Sequence, residues 1–404
     1  MIRQILLISG LAALPLFAEK PNFLFILADD LGIECIRAYG GQSYKTPHID
    51  ELTDTGLTFD HAYSTPKCSP SRVTLLTGRY TFRTTNVWGH IPREEISVAN
   101  LLRDEGYATA IAGKWQLGRI VDEPDILEHF GFEQYCIWGW HEGPRYWKPL
   151  IWQNGKIRDD VKERYGPEVY TEFLIDFMEQ HQDKPFLAYF PMCLPHLPKK
   201  NEPKGPDGQW ETFGEMISQV DRMVGQLTHA LDRLKLREKT LVIFTSDNGS
   251  PTNVTSIRNG KSIKGGKAKL NNAGTHVPLI AHWPGTVQSG RHDALIDFSD
   301  LLPTFVKLAG GQIPSDRIID GHSFAWAITG QKGNSRDWIY TEWSGRSWIR
   351  TREWKLYDNR IMYDMKNDPE EKSALSVYSD DAVRAQTRAW LESNMANLKE
   401  ITKP

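Results

Sequence analysis

The chain has 404 residues, 40% of them hydrophobic and 25% charged, the composition of an ordinary globular protein. Its 48 Lys and Arg against 51 Asp and Glu give a formal charge of −3. That near-neutral balance gives no electrostatic case for nucleic acid or an anionic membrane as a partner, so an anionic substrate would have to be held by local charge. The length allows one large domain and a smaller one.

Residues 1–18 carry one Arg, an apolar core broken by Pro15, and then the small Ala18. That order predicts a secretory leader cleaved after Ala18, too short for a membrane anchor. No later run is as hydrophobic, so the mature protein is expected to be soluble and exported, periplasmic or secreted. Residues 22–28 are almost wholly apolar, as in a central parallel strand buried on both faces, and Asp29-Asp30 follow. A bare Asp-Asp is often an exposed turn. At the carboxyl end of a central strand, however, it sits where open α/β sheets bind ligands, and two buried carboxylates need a cation or a raised pKa.

Residues 46–50 open a short helix, and residues 57–63 read as a strand leading to Cys68. Pro70 then falls near the first helical position and Gly78 near the helix end. A side chain at such a helix start faces unpaired N–H groups and the positive dipole end, while Arg72 and Arg79 add fixed charge suited to a tetrahedral oxyanion. Helix 97–105, strand 108–112, strand 186–190, helix 214–236 and strand 241–245 continue the alternation. In 214–236, Ile217, Val220, Val224, Leu227, Leu231 and Leu234 form an apolar stripe. This order predicts an α/β fold with a large, mostly parallel sheet sandwiched by helices.

Further polar groups follow strand ends: Lys114 and Gln116, then His196 in a loop stiffened by three prolines, then Asp247 and Asn248. Residues 136–154 hold Trp138, Trp140, Tyr146, Trp147 and Trp152 with His141 and Arg145. Such a segment is either a buried aromatic cluster or a sugar-stacking surface, the second reading making Trp140 and His141 substrate contacts. A strand is expected at 279–283, and the last helix of the large domain starts near Asp300. From about 338 the texture changes: 338–343, 347–351 and 354–357 alternate with turn residues as in a small antiparallel sheet, and a helix at 380–399 ends the chain. The expected organisation is a leader at 1–18, a catalytic α/β domain at 19–330 and a small C-terminal subdomain at 331–404.

The run Cys68-Ser69-Pro70-Ser71-Arg72, closed by Leu76-Thr77-Gly78-Arg79, resembles the signature of the type I sulfatases of the alkaline phosphatase superfamily. In that family a separate formylglycine-generating enzyme oxidises the cysteine to formylglycine, an aldehyde that hydrates to a geminal diol. The resemblance therefore implies that Cys68 is not a thiol in the active protein, and that the converting enzyme is a maturation partner. It also implies that Asp29, Asp30, Asp247, Asn248 and the modified Cys68 surround one divalent cation. An all-oxygen set of this kind suits Ca²⁺ or Mg²⁺. Arg72, Lys114 and Lys267 are implied to offset charge on the sulfate oxygens, with Lys264 as the alternative to Lys267, and His196 to protonate the departing alcohol.

Three positions depart from the family pattern. Gln116 stands where a His is usual, and glutamine cannot act as a general base near neutral pH. His141 is a candidate to supply the missing imidazole. Asn272 replaces the usual Glu and His276 the usual Arg. With Cys68 converted, Cys35, Cys136 and Cys193 allow at most one disulfide, and none is expected to be needed. The implied reaction is hydrolysis of a sulfate ester, with a sulfated carbohydrate as the expected substrate. The alternatives are a phosphate or phosphonate ester hydrolase of the same superfamily and a catalytically silent sulfated-glycan-binding relative.

Overall fold

A computed structural model describes residues 19–84, 88–140, 142–197, 212–379 and 381–401; the leader and His141 lie outside the described residues. The strands in chain order are β1 (Asn22–Ala28), β2 (Leu57–Tyr63), β3 (Ala108–Gly113), β4 (Gln134–Trp138), β5 (Ile151–Gln153), β6 (Lys156–Ile157), β7 (Phe186–Pro191), β8 (Thr240–Ser246), β9 (Thr255–Arg258), β10 (Lys261–Lys264), β11 (Leu279–His282), β12 (Gly290–Asp297), β13 (Ile339–Trp343), β14 (Arg346–Arg350), β15 (Trp354–Tyr357) and β16 (Met362–Asp364).

The large sheet runs β12-β2-β11-β8-β1-β7-β3-β4-β5-β6. Its centre, β8-β1-β7-β3-β4, is parallel. Strand β11 runs against β8 and β2, and β5 and β6 finish the opposite edge antiparallel. The apolar run in β1 feeds two cores because successive side chains point to opposite faces. Phe23, Phe25 and Leu27 pack on one side with helices Cys68–Thr77, Val98–Asp104 and Leu301–Leu308. Leu24, Ile26 and Ala28 pack on the other with helices Pro47–Thr55, Gly166–Gln180 and Phe213–Arg233. The last of these begins in a capping box between Thr212 and Glu215 and buries the predicted stripe from Ile217 to Leu231. It stops before the predicted 236 because Lys235 adopts a left-handed backbone, φ +58°.

The small sheet is antiparallel in the order β13-β14-β15-β16, and helix Ala382–Glu400 packs on it through Leu391 against Ile349, Leu356 and Met362. All four cysteines are free and buried. The seam between the sheets is polar. Lys355 is fully buried and donates to the Leu270 carbonyl at 2.7 Å and to Glu371 at 2.8 Å. Glu371 also accepts from the Asn272 backbone N–H at 2.7 Å, and Arg350 donates to the Asn272 side-chain oxygen at 3.1 Å. His276 stacks on Tyr63 with centroids 4.7 Å apart, and the Arg350 guanidinium lies 4.3 Å from the same ring. The two departures at 272 and 276 thus lie in the seam, on the segment that follows Lys267.

Burial pushes the Lys355 ammonium down to about 8, against the pull of Glu371. Glu371→Ala would strand that ammonium, and loss of one partner of a buried pair costs about 3–5 kcal/mol. Urea unfolding is expected to show a loss of that size, with Glu371→Gln, which keeps an acceptor, losing less. Equal and small losses would show that the seam carries no such weight.

Candidate active site

The parallel strands β1, β3, β7 and β8 end on one edge of the sheet. Strand β2 ends there too, since it is antiparallel to β11, which is antiparallel to β8. Five strand ends therefore deliver Asp29 and Asp30, Cys68, Lys114, His196, and Asp247 and Asn248 to one place, and Lys267 enters from the segment between β10 and β11.

Three carboxylates and three cations interlock there. Asp29 accepts from Lys114 Nζ at 2.7 Å. Asp247 accepts from Arg72 Nε at 3.2 Å and Nη2 at 2.8 Å through one oxygen, and from the Asp30 backbone N–H at 3.1 Å through the other. Asp30 has φ +73°, which a short polar side chain tolerates, and it accepts from Asn248 Nδ2 at 2.8 Å and from Lys267 Nζ. The third Arg72 bond goes from Nη1 to the Lys114 carbonyl at 3.0 Å. Arg72 thus spends its fork on Asp247 and the backbone. In this structure it orients a carboxylate.

Burial alone would raise the Asp29 carboxyl, yet Lys114, His196, Arg72 and Lys267 surround it and hold it well below the carboxylate range. Asp247 is raised to about 7 by burial and by the charge of Asp29, with Arg72 and Lys114 opposing. Burial would lower Lys267, but Asp30 and its neighbours reverse this and raise it. Burial raises the Cys68 thiol, against the pull of Lys114. An unmodified Cys68 would therefore sit as a thiol, the poorer nucleophile.

The donor set fits a hard cation. Donor atoms of Asp29, Cys68 and Asp247 lie within 4.8 Å of one another. Asp29 Oδ1 and Asn248 Oδ1 are buried and lack hydrogen-bond partners among the described residues, a state that buried oxygens rarely keep unless something else satisfies them. The site opens on one side, where the side chains of His196 and Lys267 remain 23% and 16% exposed. His196 Nδ1 lies 2.8 Å from the Leu197 carbonyl and Nε2 lies 3.7 Å from Asp30. Burial pushes this imidazole down to about 4, with Asp30 and Asp29 opposing.

Of the remaining predicted residues, Gln116 follows β3 at φ +54°, and its buried side-chain oxygen has no hydrogen-bond partner among the described residues. Lys264 is exposed on β10, so Lys267 is the lysine at the site. The aromatic segment is mainly structural. Trp138 and Tyr146 are buried and Trp140 is 9% exposed, so Trp140 belongs to the core and is no sugar platform. The Tyr146 hydroxyl donates to the carbonyls of Cys193, at 2.6 Å, and of His196. Arg145 is buried between Trp138 and Tyr146, at 4.8 and 5.4 Å from their rings. This support for the His196 loop was missed, because aromatic density announces burial without saying what it holds.

A family profile described as Sulfatase matches residues 21–311, and one for the C-terminal region of N-sulphoglucosamine sulphohydrolase matches residues 267–401. N-acetylgalactosamine-6-sulfatase from Canis lupus familiaris is 31% identical over 85% of this chain and 74% of its own. Arylsulfatase A from Homo sapiens is 32% identical over 83% of this chain and 73% of its own. Among solved structures, Ps i-CgsB in complex with k-i-k-neocarrahexaose superposes with a TM-score of 0.80 at 25% identity, covering 95% of this chain and 92% of that one. The profile match spans most of the chain and joins the strand-end blocks to the fold: the chain belongs to the sulfatase family and is an enzyme that hydrolyses sulfate esters.

Proposed function

We propose that this sulfatase releases inorganic sulfate from a sulfated carbohydrate outside the cytoplasm, using a formylglycine made from Cys68 and one Ca²⁺ or Mg²⁺ ion. The observation that carries the site assignment is the convergence of Cys68 with Asp29 and Asp247, together with two buried oxygens, Asp29 Oδ1 and Asn248 Oδ1, that lack hydrogen-bond partners among the described residues. Asp29, Asp30, Asp247, Asn248 and residue 68 would hold the ion, which when bound supplies charge to hold a sulfate oxygen and lower the pKa of a hydroxyl beside it. Oxidised Cys68 would supply that hydroxyl as the nucleophile, for which maturation by a formylglycine-generating enzyme is needed. The carbohydrate reading is supported by the canine relative's name and by the oligosaccharide in the Ps i-CgsB complex. The apolar leader at 1–18 supports export, and no helix among the described residues is long and apolar enough to cross a membrane.

The chain's own charges fit this assignment. Asp29, Asp30 and Asp247 already balance Arg72, Lys114 and Lys267. A divalent ion would leave a positive excess in a buried site, and an anionic sulfate ester would offset part of it. Lys114 and Lys267, which hold Asp29 and Asp30, lie where their ammonium groups would meet sulfate oxygens if those carboxylates held an ion. Arg72 keeps Asp247 in place throughout. His196, at the open side, faces the departing alcohol, and the negative charge of a bound ester favours its protonated form.

Two outcomes follow. Ca²⁺ or Mg²⁺ added to chelator-treated protein is expected to stabilise it by about 2.7 kcal/mol at a hundred times the dissociation constant. Asp247→Asn should lose that shift in a thermal melt; a melt that ignores the metal in the parent protein would remove the ion site. His196→Ala is expected to slow hydrolysis of a sugar sulfate by ~10²–10⁴-fold. The loss should be far smaller with 4-nitrophenyl sulfate, whose leaving group needs little protonation, and equal losses on both would deny His196 the proton-donor role.

A further inference from the structure

Next to the nucleophile position the chain builds an aromatic pair that the reaction does not use. Trp88 is 44% exposed, and its ring meets that of Trp343 edge-on, with centroids 6.2 Å apart and planes at 65°. Lys67, the residue before Cys68, places its ammonium 5.3 Å from the Trp88 centroid. Among the described residues no carboxylate pairs with Lys67. Trp343 comes from the small sheet, so the cluster joins three distant parts of the sequence.

Each member is anchored. The Lys67 carbonyl accepts from the Ser71 backbone N–H at 3.1 Å and the Thr65 hydroxyl at 3.0 Å. Gly89, following Trp88, lies so close to the Trp140 ring that a Cβ there would come within 1.9 Å of it, and φ is +73°. Trp140 thus supports the backbone beneath Trp88. On β13, Glu342 accepts from the Thr81 hydroxyl at 3.3 Å, and the Thr341 hydroxyl donates to the Ser64 carbonyl at 3.4 Å, on the approach to Cys68. Trp88 is exposed and Trp343 half-buried; indoles lose little conformational entropy on contact, and the apolar faces of sugars suit them. An ammonium held over an aromatic ring with no carboxylate partner is free to meet an anion.

We propose that Trp88, Trp343 and Lys67 form a carbohydrate subsite beside residue 68. A sugar ring of the substrate stacks on the indoles, and Lys67 meets a second anionic substituent, a sulfate or a carboxylate, on the same chain. The proposal rests on the carbohydrate reading above and adds to it that the preferred substrate is a multiply anionic oligosaccharide.

The test compares 4-nitrophenyl sulfate, which cannot span the subsite, with a panel of sulfated oligosaccharides carrying one or several anionic groups. Trp88→Ala and Trp343→Ala are expected to lower kcat/KM on the best oligosaccharide about tenfold, the scale of one aromatic contact, mainly through KM. Turnover of 4-nitrophenyl sulfate should be unchanged. Lys67→Gln should weaken only the multiply anionic oligosaccharides and flatten the salt dependence of their KM. The mass of residue 68 in each variant shows whether maturation is intact. With mature residue 68, losses that are equal on both substrate types, or absent on both, overturn the subsite and leave the carbohydrate reading standing. Failure of the parent enzyme on every oligosaccharide, while it still turns over 4-nitrophenyl sulfate, overturns both.

Discussion

The rest of the site depends on burying three carboxylates beside three cations at one sheet edge. Asp29, Asp30 and Asp247 lie beside the buried Arg72 and Lys114 and the partly exposed Lys267. A buried carboxylate without a cation would simply take up a proton. The parallel centre of the sheet makes the arrangement feasible, because it ends several strands side by side and leaves their loops to supply the charges. Arg72 is the connecting piece. It sits one helical turn after Cys68, clamps Asp247 and reaches the Lys114 carbonyl, so the nucleophile helix, β8 and β3 share one rigid contact.

Much of this was legible in the sequence. The apolar run of β1, the stripe of helix Phe213–Arg233 and the polar residues closing each central strand announced both the sheet and its working edge. Short-range patterns carry such information because strand burial and helix periodicity are local. What the sequence did not reveal was pairing at a distance. The edge strands β5, β6 and β12 are short or partly exposed, and their weak periodicity hides them. Residues 136–154 suit either a buried cluster or a sugar platform, and Trp140 is buried in the core. The charge of Arg72 is visible in the sequence, and its engagement by Asp247 is not.

The small sheet does more than cover an edge. Through Lys355, Glu371 and Arg350 it grips the segment that follows Lys267, and through Thr341 and Glu342 it holds the chain on either side of the Cys68 helix. Two parts of the active site therefore rest on contacts distant in sequence, 78 to 99 positions for the segment after Lys267 and 261 to 277 for the chain around the Cys68 helix. Asn272 and His276, which depart from the family pattern, belong to that same seam. Their replacement fits a local change in how the two sheets meet, with the charge cluster kept whole.

The account stands or falls at residue 68. Burial raises the Cys68 thiol, so the unconverted side chain is a poor nucleophile. Preparations made with and without a formylglycine-generating enzyme would differ in the fraction of aldehyde at residue 68, read from the mass of the tryptic peptide. The account predicts that sulfatase activity rises in proportion to that fraction and vanishes in fully unconverted protein. Full activity from protein carrying only the thiol would contradict it.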